Sequence, residues 1–343
     1  MPFLWGVEFR DLNAFLQTPE MTRLVDILRG MGAELPLVME DIQRDGSLPF
    51  MRWLVKETTS GMEAQLAVED PPGIVLSTHR DIVCDPALYN LARVEAGRPT
   101  THIVLGTNLA NKPWVKELMA RNKALFIDRS LAGRAALLQQ KQLSEDIAQI
   151  ITDGGHVWIA QAPGRAKNGV DATHAGLLRM LGLAMGGESH GAAALSGLVR
   201  PLAIRYDVNP CDARLIKEKL AGDKAPDDDE WSMREGLLGW KGGVHLAEGG
   251  TVDLLGLDGK ESWSQAATRM DQAMAQLPAR GQWADAALQA YGSDRHPIEA
   301  ADFHSRWEVC RRQLEAWRMD FDPAEGRRLF AEVYREVQRD ALD

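Results

Sequence analysis

The segment GIVLSTHRDIVCDPALYNLARVEAG, residues 73 to 97, decides the fold. Its first six residues are an apolar, β-branched run of the kind buried in a parallel sheet. PALYNLARVEAG then reads as a helix, with Asp85 as its N-cap, Pro86 in the first turn and Gly97 at its end. Between them lies a loop carrying His79, Arg80 and Asp81. Four further strand-like runs follow: HIVLG (102–106), ALFIDR (124–129), HVWIAQA (156–162) and VRPLAIRYD (199–207). Helical patterns separate them; LLQQKQLSEDIAQIITDGG puts Leu143, Ile147, Ile150 and Ile151 on one face and stops at Gly154. Strands alternating with helices predict an α/β fold, a layered, mainly parallel or mixed sheet flanked by helices.

Outward from this centre the period changes. Residues 1–65 read as a helical N-terminal region, in which TPEMTRLVDILRG has Thr18 as N-cap, Pro19 at the first helical position and Gly30 at the end. The α/β domain is expected over 66–260. Within it GDKAPDDDEW (222–231) reads as a charged loop, and WKGGVHLAEGGTVDLLG as one or two strands with glycine turns. Residues 261–343 form a helical C-terminal extension: Phe303, Trp307, Cys310, Leu314 and Trp317 follow a 3-4 spacing, as do Leu329, Phe330, Val333, Tyr334 and Val337.

The 343 residues, 45% hydrophobic and 26% charged, suffice for a large core. The three cysteines, Cys84, Cys211 and Cys310, are too few and too scattered for a disulfide framework or a metal cluster, which predicts a reducing compartment. MPFLWGVEFRDLNAFLQ lacks the basic start and small-residue cleavage site of an export signal, and no apolar run reaches the ~18 residues of a membrane span. A cytoplasmic protein is expected. The net charge of −10 argues against general nucleic-acid binding.

His79 on a loop after a strand, with a carboxylate nearby, is a candidate general base and orienting partner. Asp85 and Asp81 compete for the partner role, and a helix cap accounts for Asp85 equally well. The other strand exits supply cations: Arg129 in FIDRS, and Arg165 and Lys167 on the glycine loop APGRAKNG. Ligands of α/β sheets collect at this edge, and a base beside cations suits a phosphorylated alcohol. Neither a P-loop nor a Gly-x-Ser-x-Gly elbow is present. His102 and His156 read as structural, His174 and His190 as satisfied or exposed, and GGESHGAAALSG as a connection.

Four blocks in order, STHRDIVCDP, LFIDRS, IAQAPGRAKNG and VRPLAIRY, resemble the glycerolipid acyltransferases, the family of glycerol-3-phosphate and lysophosphatidate acyltransferases, in a divergent branch of bacterial type. The resemblance covers roughly residues 70–255. It departs from the family in placing five residues between His79 and Asp85, and Pro163 at the family's glutamate position. It implies catalysis by His79 and Asp85 and substrate binding by Arg129, Arg165, Lys167, Arg80, Gly164 and Pro201. It also implies acyl-CoA or acyl carrier protein as co-substrate, with no cofactor or metal, and a glycerol-phosphate-type acceptor. Transient contact with the inner face of the cell membrane would follow, for which the apolar residues Phe3, Leu4, Trp5, Phe9, Leu12, Phe15 and Leu16 are candidates. Two alternatives stay open: a different acceptor, such as a lyso-lipid or an amino-acid headgroup, and a non-catalytic lipid or acyl-carrier binding protein that keeps the fold.

Overall fold

The computed structural model describes residues 47–110, 123–167, 171–222, 228–278 and 300–334, together with 3–4, 7–8, 119 and 225. The expected helix at 18–30, Val337 and most of the apolar N-terminal segment lie outside them; Phe3–Leu4 pairs antiparallel with Val7–Glu8.

Among the described residues the main sheet has seven strands: β1 (Gly61–Gln65), β2 (Gly73–Ser77), β3 (His102–Gly106), β4 (Ala124–Ile127), β5 (His156–Ala160), β6 (Val199–Tyr206) and β7 (Gly243–Glu248). Their order is β1-β7-β6-β2-β5-β3-β4. The run from β6 to β4 is parallel throughout; β7 is antiparallel to β6, and β1 pairs parallel with β7. This is the mainly parallel α/β sheet that the apolar runs predict.

Both faces of the central strands are buried, which is why those runs do not alternate with polar residues. Val75 and Trp158 face a core built with Leu54 of α1 (Ser47–Thr58) and Leu88 and Leu91 of α2 (Cys84–Glu95). Ile74, Leu76, Val157 and Ile159 face the other way, toward α3 (Gly133–Thr152), α4 (Ala175–Gly182) and α7 (Ser262–Ala275). GGESHGAAALSG is a packed connection, with Ala192 and Leu195 buried in this second core. A third cluster joins α5 (Asp212–Ala221) to α8 (Ala300–Ala316) and α9 (Pro323–Tyr334), with Phe303, Trp307, Phe330 and Tyr334 at its centre.

Three local readings are corrected. Residues 61–65 form a strand where a helix was expected; GMEAQ is mostly exposed, and among the described residues it lies at the edge of the sheet, with its ladder from β7, 182 residues away in the chain at Gly61↔Gly243. The charged segment is not all loop, because α6 (Asp228–Leu238) starts inside it. Asp228, Asp229 and Glu230 fill the first turn, where the helix dipole favours anions, and the Asp228 carboxylate accepts the Ala225 N–H at 2.8 Å. Finally, Asp85 does not cap α2. Asp81 does, its Oδ1 accepting the N–H groups of Val83 at 2.8 Å and Cys84 at 2.7 Å.

The sheet edge where the parallel strands begin is closed by buried charge. Arg93 forks onto Asp70 at 2.9 and 3.0 Å, Arg200 reaches Asp70 at 3.2 Å and Glu248 at 3.4 Å, and Tyr89 donates to Glu248 at 2.9 Å. His156, the first residue of β5, accepts from Arg200 at 3.2 Å. Burial, then the neighbouring guanidiniums led by Arg93, push its pKa down to about 4, so the folded protein holds the ring neutral. An unfolded chain takes up that proton near pH 6.5, so this group leaves stability intact above pH 6.5 and erodes it as pH falls toward 4. The loss amounts to about 3 kcal/mol across the window. His156→Gln is expected to flatten this part of a stability profile measured by urea melts from pH 7 to 4; an unchanged slope refutes the assignment.

Candidate active site

The opposite edge, where the parallel strands end, gathers the residues singled out in the sequence. β2 ends at Ser77, and Thr78 stays in register, its N–H bonded to Leu202 O at 3.0 Å. His79 then leaves the sheet. Its Nδ1 lies 3.0 Å from Asp85 Oδ2, and its ring meets Trp158 edge-on with centroids 6.2 Å apart. Because Asp81 takes over the cap, Asp85 is free to turn inward from the first turn of α2. There it is fully buried and accepts four donors: His79 Nδ1, Arg80 N at 2.7 Å and Asp81 N at 3.0 Å on Oδ2, and the Tyr206 hydroxyl at 2.8 Å on Oδ1. A carboxylate so loaded holds Nδ1–H toward itself and leaves Nε2 as the proton acceptor.

Asp81 has a distinct environment. Burial, then the nearby Asp85 charge, raise its carboxyl pKa, while the cap bonds act against that rise. It packs so closely on α6 that a Cβ at Gly236 would lie 1.9 Å from its Oδ2. Only glycine fits there.

The glycine loop after β5 is stitched over His79. Gln161 N–H bonds Ser77 O, and Ala166 N–H bonds His79 O, each at 2.9 Å. Gly164 sits at φ +82°, the left-handed region that suits glycine, beside the exposed Pro163. Asp171, which the sequence reading missed, completes the stitching: Oδ1 accepts His79 N–H at 3.0 Å, and Oδ2 pairs with Arg80 at 2.7 Å and Arg205 at 3.7 Å. Arg80 is thus buried and holds the loop together rather than facing solvent.

The cations occupy different surroundings. Arg165 is buried, donating to Ser232 Oγ at 3.0 Å and to Glu218 Oε1 at 3.4 Å. Lys167, 40% exposed, pairs with the other oxygen of Glu218 at 2.7 Å. Arg129 is exposed at the exit of β4, and among the described residues no carboxylate pairs with it. Three inter-strand steps place β4 roughly 14 Å from β2. The Arg129 side chain leans back over that gap: a Cβ on Gly106, the last residue of β3, would lie 4.0 Å from its Nε. Pro201 is paired with Leu76 inside the sheet, short of this edge, and its carbonyl accepts Gly249 N–H at 2.9 Å. His174 and His190 are exposed.

Residues 48–186, which hold β1 to β5, the His79 loop and the glycine loop, match the family model Acyltransferase. Over this span, which is less than half of the chain, the sequence is similar to that family. Among solved structures it is similar to the 1-acyl-sn-glycerophosphate (LPA) acyltransferase PlsC from Thermotoga maritima, at 15% identity and a TM-score of 0.38, over 74% of this chain and 88% of that one. No curated protein sequence matches. The span matched by the acyltransferase family model contains His79, Asp85, Asp171 and the cations, whereas Tyr206, Glu218 and Ser232, which hold them from behind, come from beyond it. Among the described residues no helix is long and apolar enough to cross a membrane.

Proposed function

We propose that the protein moves a fatty acyl group from an acyl thioester, carried by coenzyme A or acyl carrier protein, to a hydroxyl of a glycerol-phosphate or lysophosphatidate-type acceptor. The observation that carries this reading is the His79–Asp85 pair at the sheet edge within the acyltransferase span. His79 Nε2 takes the hydroxyl proton as the oxygen attacks the thioester carbonyl. Collapse of the adduct breaks the carbon–sulfur bond, and the imidazolium returns the proton to the departing thiolate. Asp85 stabilises the imidazolium meanwhile. The thioester is already activated, so the scheme calls for no metal or covalent intermediate. A lipid product implies transient contact with a membrane.

In this scheme Arg129 binds the acceptor phosphate, which a guanidinium matches through two parallel hydrogen bonds. Arg129→Glu is expected to raise KM for glycerol 3-phosphate by roughly 100-fold, since a charged hydrogen bond is lost and a repulsion added. KM for the acyl thioester should stay near its wild-type value. Equal losses for both substrates would remove Arg129 from the acceptor site. The sharing of Glu218 by Arg165 and Lys167 favours a second reading, an acceptor without a phosphate. It predicts that glycerol 3-phosphate neither serves as acceptor nor competes with a lyso-lipid.

The experiment that tests the function is thiol release from a long-chain acyl-CoA, and then from acyl carrier protein, with and without glycerol 3-phosphate or a lysophosphatidate. Acceptor-dependent release supports acyl transfer. Thioester binding without turnover on any acceptor would point instead to a binding protein that keeps the fold.

A further inference from the structure

Helix α5 lies beyond the acyltransferase span and touches both the C-terminal helices and the candidate site. Asp212 opens it and Glu218 lies less than two turns on, about 9 Å along the axis and about 120° around it. The two carboxylates therefore face different neighbours. Asp212 is fully buried against the C-terminal layer: Arg306 of α8 forks onto it with both bonds at 2.8 Å, and the Tyr334 hydroxyl of α9 donates to it at 2.7 Å. Lys219 adds an ion pair to Glu332 of α9. Glu218, also buried, faces the glycine loop and holds Arg165 and Lys167. Between them Arg214 bonds Asp228 at 3.0 Å and Glu235 at 2.6 Å, locking α5 to α6, whose Ser232 is the other partner of Arg165.

We propose that the C-terminal helices position the glycine loop beside His79 through α5, with Arg306–Asp212 as the anchor and Glu218 as the positioning residue that sets where Arg165 and Lys167 stand. The helices supply no group to the reaction. They fix a rigid rod whose far end places two cations, and through Ala166 N–H, bonded to His79 O, the same loop steadies the base. The consequence for turnover rests on the acyl-transfer reading; the mechanical link does not.

The test compares wild type with Arg306→Gln, Glu218→Gln and, as a control elsewhere on α8, Arg311→Gln, which among the described residues breaks only local pairs with Glu308 and Glu315. Amide hydrogen exchange is followed across residues 161–167 and across β2. Loss of a charge-assisted bond should cut protection at 161–167 by roughly tenfold in the first two variants and leave it unchanged in the third. β2 should keep its protection in all three. Where glycerol 3-phosphate is turned over, its KM should rise roughly tenfold while kcat stays within about threefold. Unchanged protection at 161–167 in folded Arg306→Gln overturns the proposal, and so does an equal loss across β2, which would mark a purely global effect. If Arg306→Gln does not fold, Arg306→Lys, which keeps the charge, replaces it under the same two criteria. A wild type inactive on every acceptor would sink the acyl-transfer reading alone, because the exchange data decide the link by themselves.

Discussion

Replacing His79 with alanine is expected to lower acceptor-dependent thiol release by roughly 100 to 10,000-fold, the usual contribution of a positioned general base. The fold should survive. The ring is 15% exposed and among the described residues its one polar contact is to Asp85, while the bonds that stitch the loop, from His79 N–H to Asp171 and from Ala166 N–H to His79 O, are made by backbone that alanine retains. Thermal melts and thiol release measured on the same preparation separate the two effects. A variant that melts like wild type and keeps more than about a tenth of its rate would show that the proton leaves by another route.

Asp85 is expected to behave differently according to what replaces it. Asparagine can turn its carbonyl toward His79 Nδ1 and the N–H groups of Arg80 and Asp81, and its amide can donate to the Tyr206 oxygen. Most of the bonding survives, while the charge that in the proposed scheme steadies the imidazolium is gone. Turnover should therefore fall by roughly 100 to 10,000-fold with stability nearly kept. Alanine instead strands the Arg80 and Asp81 N–H groups and the Tyr206 hydroxyl in a buried site. At about 1 to 3 kcal/mol for each unmet donor, the cost is at least about 3 kcal/mol. Urea melts of the two variants check this. Equal destabilisation would mean that Asp85 matters for its hydrogen bonds alone, and wild-type turnover in Asp85→Asn would exclude it from the chemistry.

The sheet was legible because its central strands are buried on both faces, and that leaves continuous apolar runs such as GIVLS and HVWIA. Edge strand β1 has no such constraint, so GMEAQ carries no readable period. At the candidate site, His79 and the exit cations could be read because strand exits are local features. Their partners could not. Asp171 is 92 residues from His79 and Tyr206 is 121 from Asp85, so these bonds exist only once the sheet has brought the segments together. Tyr206 offered one signal, its place as the last residue of an apolar strand. Asp81 and Asp85 were both visible, but their roles depend on where α2 begins, and element boundaries are the least readable feature of a sequence. Glu218 gave no sign at all, lying in the middle of an ordinary amphipathic helix.

The ion cluster at the beginning of the parallel strands bears on how the chain is made. Its members come from residues 70, 89, 93, 98, 156, 200 and 248, and Glu248 closes it by taking Tyr89, Arg98 and Arg200. Contacts this far apart in sequence form slowly. During synthesis, Arg200 and Arg98 wait for their second carboxylate until residue 248 has cleared the ribosome, long after β2 to β5 have been translated. A nascent chain halted before β7 would hold a nearly complete apolar sheet with charges unmatched at one edge, a state suited to chaperone capture rather than to folding in stages.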